Sequence, residues 1–482
     1  MTRRAVVVGS GPNGLAAAIT LARSGVEVTV LEATHRIGGA ASSAELTLPG
    51  FIHDLGSAIH PLAVASPFFH ALPLHAFGLD WVQPDLPVAH PLPGGAALLR
   101  RDLDETADGL EADGPAYRRL MRPLVQDWEA LMDELLRPLP HLPRHLPLLA
   151  RFGVRALPPA SLLARTLFRG ESARALLGGL AAHSGLPLFA PGTMAFALML
   201  GVTAHAVGWP FPRGGAGELS AALAACLRFL GGRIETGVEV TGLNDLPSAD
   251  AVLLDLSPQS VLDLAGDRLP ARYAAWLRRF RPGPGAFKVD YALNAKIPWA
   301  DARVGRAGTV HLGGPLPDVE AAERAPGEGR ISSTPYVLLA QHTPFDPSRA
   351  PAGQHTAWAY IHVPNGSQED ALEALEGQIE RSAPGFRSTV LARHVSTPAA
   401  LHAWNANLLG GDVNGGANSL WQLLARPVPT AAPYRTPLRG VYLCSASTPP
   451  GGGVHGMCGF WAAQTALADV FGIREGHHTG DG

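Results

Sequence analysis

Cysteine is scarce in this chain of 482 residues: Cys226, Cys444 and Cys458 are the only three, and no C-x-x-C occurs. That argues against a disulfide framework and a redox-active dithiol, and it fits a reducing compartment. Lysine is nearly absent too, with Lys288 and Lys296 standing against 36 arginines. Together with abundant Ala, Gly and Pro, this reads as the bias of a GC-rich genome rather than as function. Charged residues make up 16% and the net charge is −3. No basic excess therefore points to nucleic acid as a partner. His, Cys and carboxylates do not recur at zinc-ligand spacing, so no metal is expected. The cleanest uncharged apolar run, about 192–208, is too short and too rich in His, Thr and Gly for a membrane span. The first strand starts within five residues of Met1, which leaves no room for a signal or transit peptide, so a cytoplasmic location is expected.

What is present begins at once. Ala5-Val6-Val7-Val8 reads as a buried strand, and it runs into Gly9-Ser10-Gly11-Pro12-Asn13-Gly14, a full G-x-G-x-x-G. Leu15, Ala18, Ile19, Leu21 and Ala22 recur at helical spacing, Gly25 suits the stop, and a second strand from Val26 ends at Glu32. This is a complete βαβ dinucleotide fingerprint. Its glycines let backbone N–H groups approach a diphosphate at a helix N-terminus. Glu32 stands where a carboxylate accepts from ribose hydroxyls, which favours a free 2′-OH.

Beyond Glu32 the chain reads Ala33-Thr34-His35-Arg36-Ile37-Gly38-Gly39-Ala40-Ala41-Ser42. It resembles the flavoproteins with an E-x-x-x-R-x-G-G extension: amine oxidases, phytoene desaturases and Rab GDP-dissociation inhibitors. The resemblance implies FAD, with Arg36 offering a cation to it. Val441-Tyr442-Leu443-Cys444 leads through Ser445-Ala446-Ser447 to Gly451-Gly452-Gly453-Val454-His455-Gly456 and a helical run, Met457 to Phe471. That segment is similar to the C-terminal FAD segment of bacterial-type carotenoid desaturases. Phe51-Ile52-His53-Asp54-Leu55-Gly56-Ser57, Trp209 to Gly215, Phe287 to Leu293 and Asp346 to Pro351 extend the resemblance over most of the chain. They point to the phytoene desaturase/dehydrogenase-like subgroup that resembles pyridine nucleotide-disulphide oxidoreductase domain-containing proteins. Ala40, where amine oxidases and many desaturases carry Arg, departs from the pattern.

The resemblance implies an α/β fold: a Rossmann-like FAD-binding domain of the amine oxidase, phytoene desaturase and GDP-dissociation-inhibitor type, assembled from discontinuous segments, plus an α+β substrate domain. The FAD-binding domain is expected over 1–66, 209–275 and 435–482, and the substrate domain over 67–208 and 276–434. Cofactor contacts are expected from Gly9, Gly11, Pro12, Asn13, Gly14, Glu32, Ala33, Arg36, Gly38, Gly39, Ala40, Ala41 and Ser57. The strand Gly231–Val240, through Val238 and Val240, is expected to reach the adenine, with Ser257, Ser447, Gly453, Val454, His455 and Met457 completing the set.

Two inserts stand out. Residues 135–170 hold six arginines and no acid among Leu-Pro repeats, a candidate peripheral contact with anionic lipid. From Ala175 to Pro212 no charged residue occurs, which reads as buried helices that wall an apolar tunnel or simply fill the core. Flavin chemistry asks the protein mainly for position and dryness. His455 and His60 are the candidate acid–base residues. Lys288 and Asp290 share one face of a strand and read as a buried pair. The function expected is an FAD-dependent oxidoreductase acting on an apolar, isoprenoid- or polyene-like substrate, with oxygen or a quinone as electron acceptor. Amine or alcohol oxidation, redox-neutral isomerisation and prenyl binding without chemistry are the competing readings.

Overall fold

Val7 packs with Ala5 on one side of its strand and Val6 with Val8 on the other, and all four are buried. A strand apolar on both faces belongs inside a parallel sheet. The computed structural model, which describes residues 3–138 and 141–474, places it there. Arg4–Val8 is the middle of five parallel strands, in the order Val441–Leu443, Ala251–Leu254, Arg4–Val8, Glu27–Glu32, Arg233–Thr236. Val7 stands in register with Leu253 on one side and Val30 on the other. Helix Pro12–Arg23 makes the crossover to Glu27. Its Leu15, Ala16, Ala17, Ala18 and Ile19 are fully buried, so it is apolar all round and covered on every side. Helix Ala216–Phe229 covers it on one side and Met457–Ala466 on another.

The remaining segments build a second sheet, in the order Val390–Ser396, Gly285–Leu293, His355–Val363, Val337–Ala340, Ala307–Leu312, Leu86–Leu92, Gly95–Leu99. It is antiparallel except where Ala307–Leu312 meets Leu86–Leu92. One face presents Phe287, Val289, Leu339, Ala359 and Ile361, which pack with Leu375 and Ile379 of helix Leu372–Ser382. The alternate residues, Lys288, Asp290, Thr309, Leu338, Trp358, Tyr360 and His362, lie on the other face. Leu338 and Trp358 there join the core that contains helices Glu171–Ala182 and Thr193–Ala206, which hold most of the uncharged stretch from Ala175. These two helices are buried almost throughout, as the missing charge predicts. Every strand of the parallel sheet comes from the segments assigned to the FAD-binding domain, and every strand of the second sheet from those assigned to the substrate domain. Residues 139–140 and 475–482, within two of the assigned spans, lie outside the described residues.

A buried ionic junction ties three distant motifs together. Arg349 donates to Asp54 Oδ2 at 2.9 Å and to the Ile52 carbonyl at 3.1 Å. Asp54 Oδ1 accepts from the Ala216 N–H at 2.8 Å and from Ser43 Oγ at 2.7 Å. Asp346 Oδ2 accepts from the Gly214 N–H at 2.7 Å. The motifs at 51–57, 209–215 and 346–351 are thus the parts of one joint.

Candidate dinucleotide site

Gly9 ends the first strand with φ +100°, a conformation open to glycine. A Cβ on Gly14 would lie 2.2 Å from the Gly9 carbonyl oxygen, and one on Gly11 would lie 2.7 Å from Asp255 Oδ2. Side chains are excluded there, so three backbone segments close on one another. Gly11 and Pro12 open the helix, and no side chain caps them. First-turn N–H groups have no partner within the helix, so that end attracts an anion. Asn13 is buried with its Oδ1 unpartnered among the described residues.

Glu32 is held by four donors. Oε2 accepts from the Ser10 N–H at 2.9 Å and from Ser10 Oγ at 2.6 Å. Oε1 accepts from the Thr34 N–H at 3.0 Å and from Thr34 Oγ1 at 2.9 Å. Its carboxylate is therefore fixed beside the glycine loop, with Ala33 next to it at the strand end. The second loop lies on the first: Gly38 N–H donates to the Ser10 carbonyl at 3.1 Å, and a Cβ on Gly39 would stand 3.4 Å from Gly11 Cα. Ala41 N–H closes a turn onto Gly38, and the Ala40 carbonyl accepts from Ser57 N–H at 2.9 Å. Arg36 is exposed, and its Nη1 donates to the Ser43 carbonyl.

The glycine-rich segment near the other end of the chain reaches the same place. A Cβ on Gly459 would come within 1.8 Å of the Asn13 carbonyl oxygen, and one on Gly456 within 3.0 Å of Ala16 Cβ. The glycine loop and the start of the closing helix therefore lie directly against one another. Gly453, at φ +119°, faces Leu62, with Val454 half-buried beside it. Ser447 is tied to Ser445 Oγ, which donates to the Leu256 carbonyl. Two glycine-rich loops, a helix N-terminus and an oriented carboxylate form a set of donors and acceptors that fits an extended dinucleotide.

Other expected contacts differ. The strand expected over Gly231–Val240 ends at Thr236. Gly237 takes φ +72°, and its N–H turns to the Thr34 carbonyl, which ends the ladder. Val238 still donates to the Glu32 carbonyl at 2.9 Å, but Val240 packs into the apolar cluster with Leu243 and Val252. Ser257 caps helix Pro258–Ala265 through Ser260 N–H. Two residues earlier stands Asp255, which the sequence did not single out. Its Oδ2 accepts from Gly14 N–H at 2.9 Å, and burial, reinforced by the Glu32 charge, pushes its carboxyl up to about 7. The signal was an acid at a strand end, readable only once Ala251–Leu254 is known to neighbour Arg4–Val8.

The two candidate histidines are both buried. His455 Nδ1 accepts from Met457 N–H at 3.0 Å, and its carbonyl accepts from Ser66 Oγ. Burial brings its imidazole down to about 4. His60 Nε2 meets Ser57 Oγ at 3.0 Å, its Nδ1 has no partner among the described residues, and burial again lowers it to about 4. Burial thus favours the neutral ring in both. Lys288 Nζ bonds to Asp290 Oδ2, and Nζ lies 6.0 Å from the Trp358 ring centroid. Asp290 Oδ1 stands 3.8 Å from His53 Nδ1, which joins the pair to the strand leading to Ser57. The alternation in His355–Val363 brings Trp358, Tyr360 and His362 to this face. Among the described residues no group of His, Cys, Asp and Glu is arranged to hold a metal.

The sequence pattern of the family described as flavin containing amine oxidoreductase matches residues 13–457. A pyridine nucleotide-disulfide oxidoreductase domain-containing protein 2 of Mus musculus is 29% identical, over 97% of this chain and 93% of its own. A hydroxyneurosporene desaturase of Cereibacter sphaeroides is 27% identical, over 97% and 98%. An oxidoreductase from Methanosarcina mazei shares the fold, with a TM-score of 0.65 at 18% identity, covering 96% of this chain and 99% of that one.

Proposed function

Since the chain belongs to the flavin-containing amine oxidoreductases and is an FAD-dependent oxidoreductase, we propose that its substrate is an apolar, isoprenoid- or polyene-like molecule whose C–C bond is desaturated or saturated. The observation that carries this reading is the uncharged helix Thr193–Ala206, which packs against Pro61–Val64. Leu62 in that turn lies against Gly453, so apolar side chains continue from the interior to the glycine-rich segment expected to border the cofactor. Bound FAD supplies a hydride acceptor at N5. The protein's share is to hold the substrate C–H within ~3–3.5 Å of that position and to keep water out. Leu62 is a half-buried apolar side chain suited to that hold. Lys288 and Asp290, as a closed buried pair, add polarity without a free charge. The desaturase relative, aligned over nearly its whole length, supports the same reading. Oxygen or a quinone is the acceptor that fits, since no second complete dinucleotide fingerprint is present for NAD(P).

The test is anaerobic mixing of the yellow protein with a panel of polyenes. Loss of the flavin band at about 450 nm is the expected result. Bleaching by amines alone, with peroxide on readmission of air, would replace this reading with amine oxidation.

A further inference from the structure

Helix Leu146–Ala156 is apolar on two opposite sides. Leu148, Phe152 and Ala156 face inward, and the helix packs on Thr193–Ala206. Leu146, Ala150, Val154 and Leu157 recur at i, i+4, i+8 and i+11 on the outer side, with Leu146 62%, Val154 74% and Leu157 55% exposed. Leu142 before the helix and Leu162 after it are exposed as well, and Phe189 stands beside Ser161, which bonds to the Leu188 carbonyl. Thirteen large apolar side chains are exposed among the described residues, and five fall between Leu142 and Leu162, so the patch is local. A helix with this pattern has a second apolar medium on its outer face.

Charge selects the medium. No acid occurs from 135 to 170. Arg151 is exposed and Arg155 half-buried, and neither meets a carboxylate within 4.0 Å among the described residues, whereas Arg144 and Arg165 are paired with Asp133 and Glu320. A second copy docked on this face by a two-fold axis would offer these arginines no carboxylate from 135–170. Anionic lipid headgroups complement them, and the apolar row enters the acyl boundary. We propose that helix Leu146–Ala156 with its flanks is a docking surface for an anionic phospholipid bilayer. The inference rests on this surface alone and not on the substrate reading.

The experiment is flotation of the full chain with vesicles of 3:1 phosphatidylcholine and phosphatidylglycerol, and with phosphatidylcholine alone. The protein is expected to float with the anionic vesicles. Its partition should fall at least tenfold in R151A/R155A, in V154E, or on raising NaCl to about 0.5 M. Val154 points outward, so V154E should keep its flavin absorbance and melting temperature. Three results overturn the proposal: no flotation of the full chain, equal flotation of V154E, or a wild-type dimer that V154E makes monomeric without any vesicle binding.

Discussion

Asp255 places a titratable carboxyl against the N–H of Gly14, in the loop that receives a diphosphate. Its pKa is raised to about 7 by burial and by the Glu32 charge, and Cys444 lies close by. A carboxyl raised above its unfolded value of about 3.9 holds a proton in the fold that the unfolded chain releases, so its contribution to stability declines from about pH 4 to pH 7 and is constant above. An anionic diphosphate at the same loop favours the protonated form further. FAD affinity should therefore weaken by up to about fivefold between pH 7 and pH 8. Asp255→Asn keeps an acceptor for Gly14 and should flatten that dependence, as read by FAD fluorescence on titrating apoprotein at each pH. A pH slope unchanged in the variant would refute this role. Glu32 was legible because a fingerprint fixes its spacing. Asp255 was not, because its neighbours lie 241 residues away in sequence.

Among elements, the crossing of Pro12–Arg23 by Met457–Ala466 depends on an absent side chain. Gly459 brings its backbone against the Asn13 carbonyl, where a methyl group would stand 1.8 Å away. Gly459→Ala must separate the two helices, at a cost of about 3 kcal/mol or more. The expected result is a lowered melting temperature and loss of flavin absorbance. Gly109→Ala, at a site with open space around it, should leave both unchanged. The βαβ unit and the uncharged helices were readable from periodicity and composition. The early end of the strand at Thr236 was not, because Gly237 turns toward Thr34, a partner from another segment.

The whole molecule turns on the joint between Asp54 and Arg349, which binds the first segment of the parallel-sheet unit to a turn of the second-sheet unit. Arg349, with His342 behind it, holds the Asp54 carboxyl well below the usual carboxylate range against the burial that opposes ionisation. A depressed carboxyl contributes stability above its unfolded pKa of about 3.9 and loses it as pH falls below that value. Arg349→Met leaves a buried unpaired carboxylate and should cost about 3–5 kcal/mol at neutral pH by urea unfolding. Adding Asp54→Asn should recover part of that loss. The scattered motifs were legible because each carries its own residue pattern. What the motifs do for one another was hidden, since hydrogen bonds between residues hundreds of positions apart leave no local trace.

The interlocking of Asn13 with Gly459 also bears on biosynthesis. The ribosome releases the first glycine loop early, yet the helix that completes its wall emerges only after more than four hundred further residues. Through most of translation the greasy opening helix has no cover there. Flavin loading is thus expected to await helix Met457–Ala466, and chains that stop before Met457 should purify colourless.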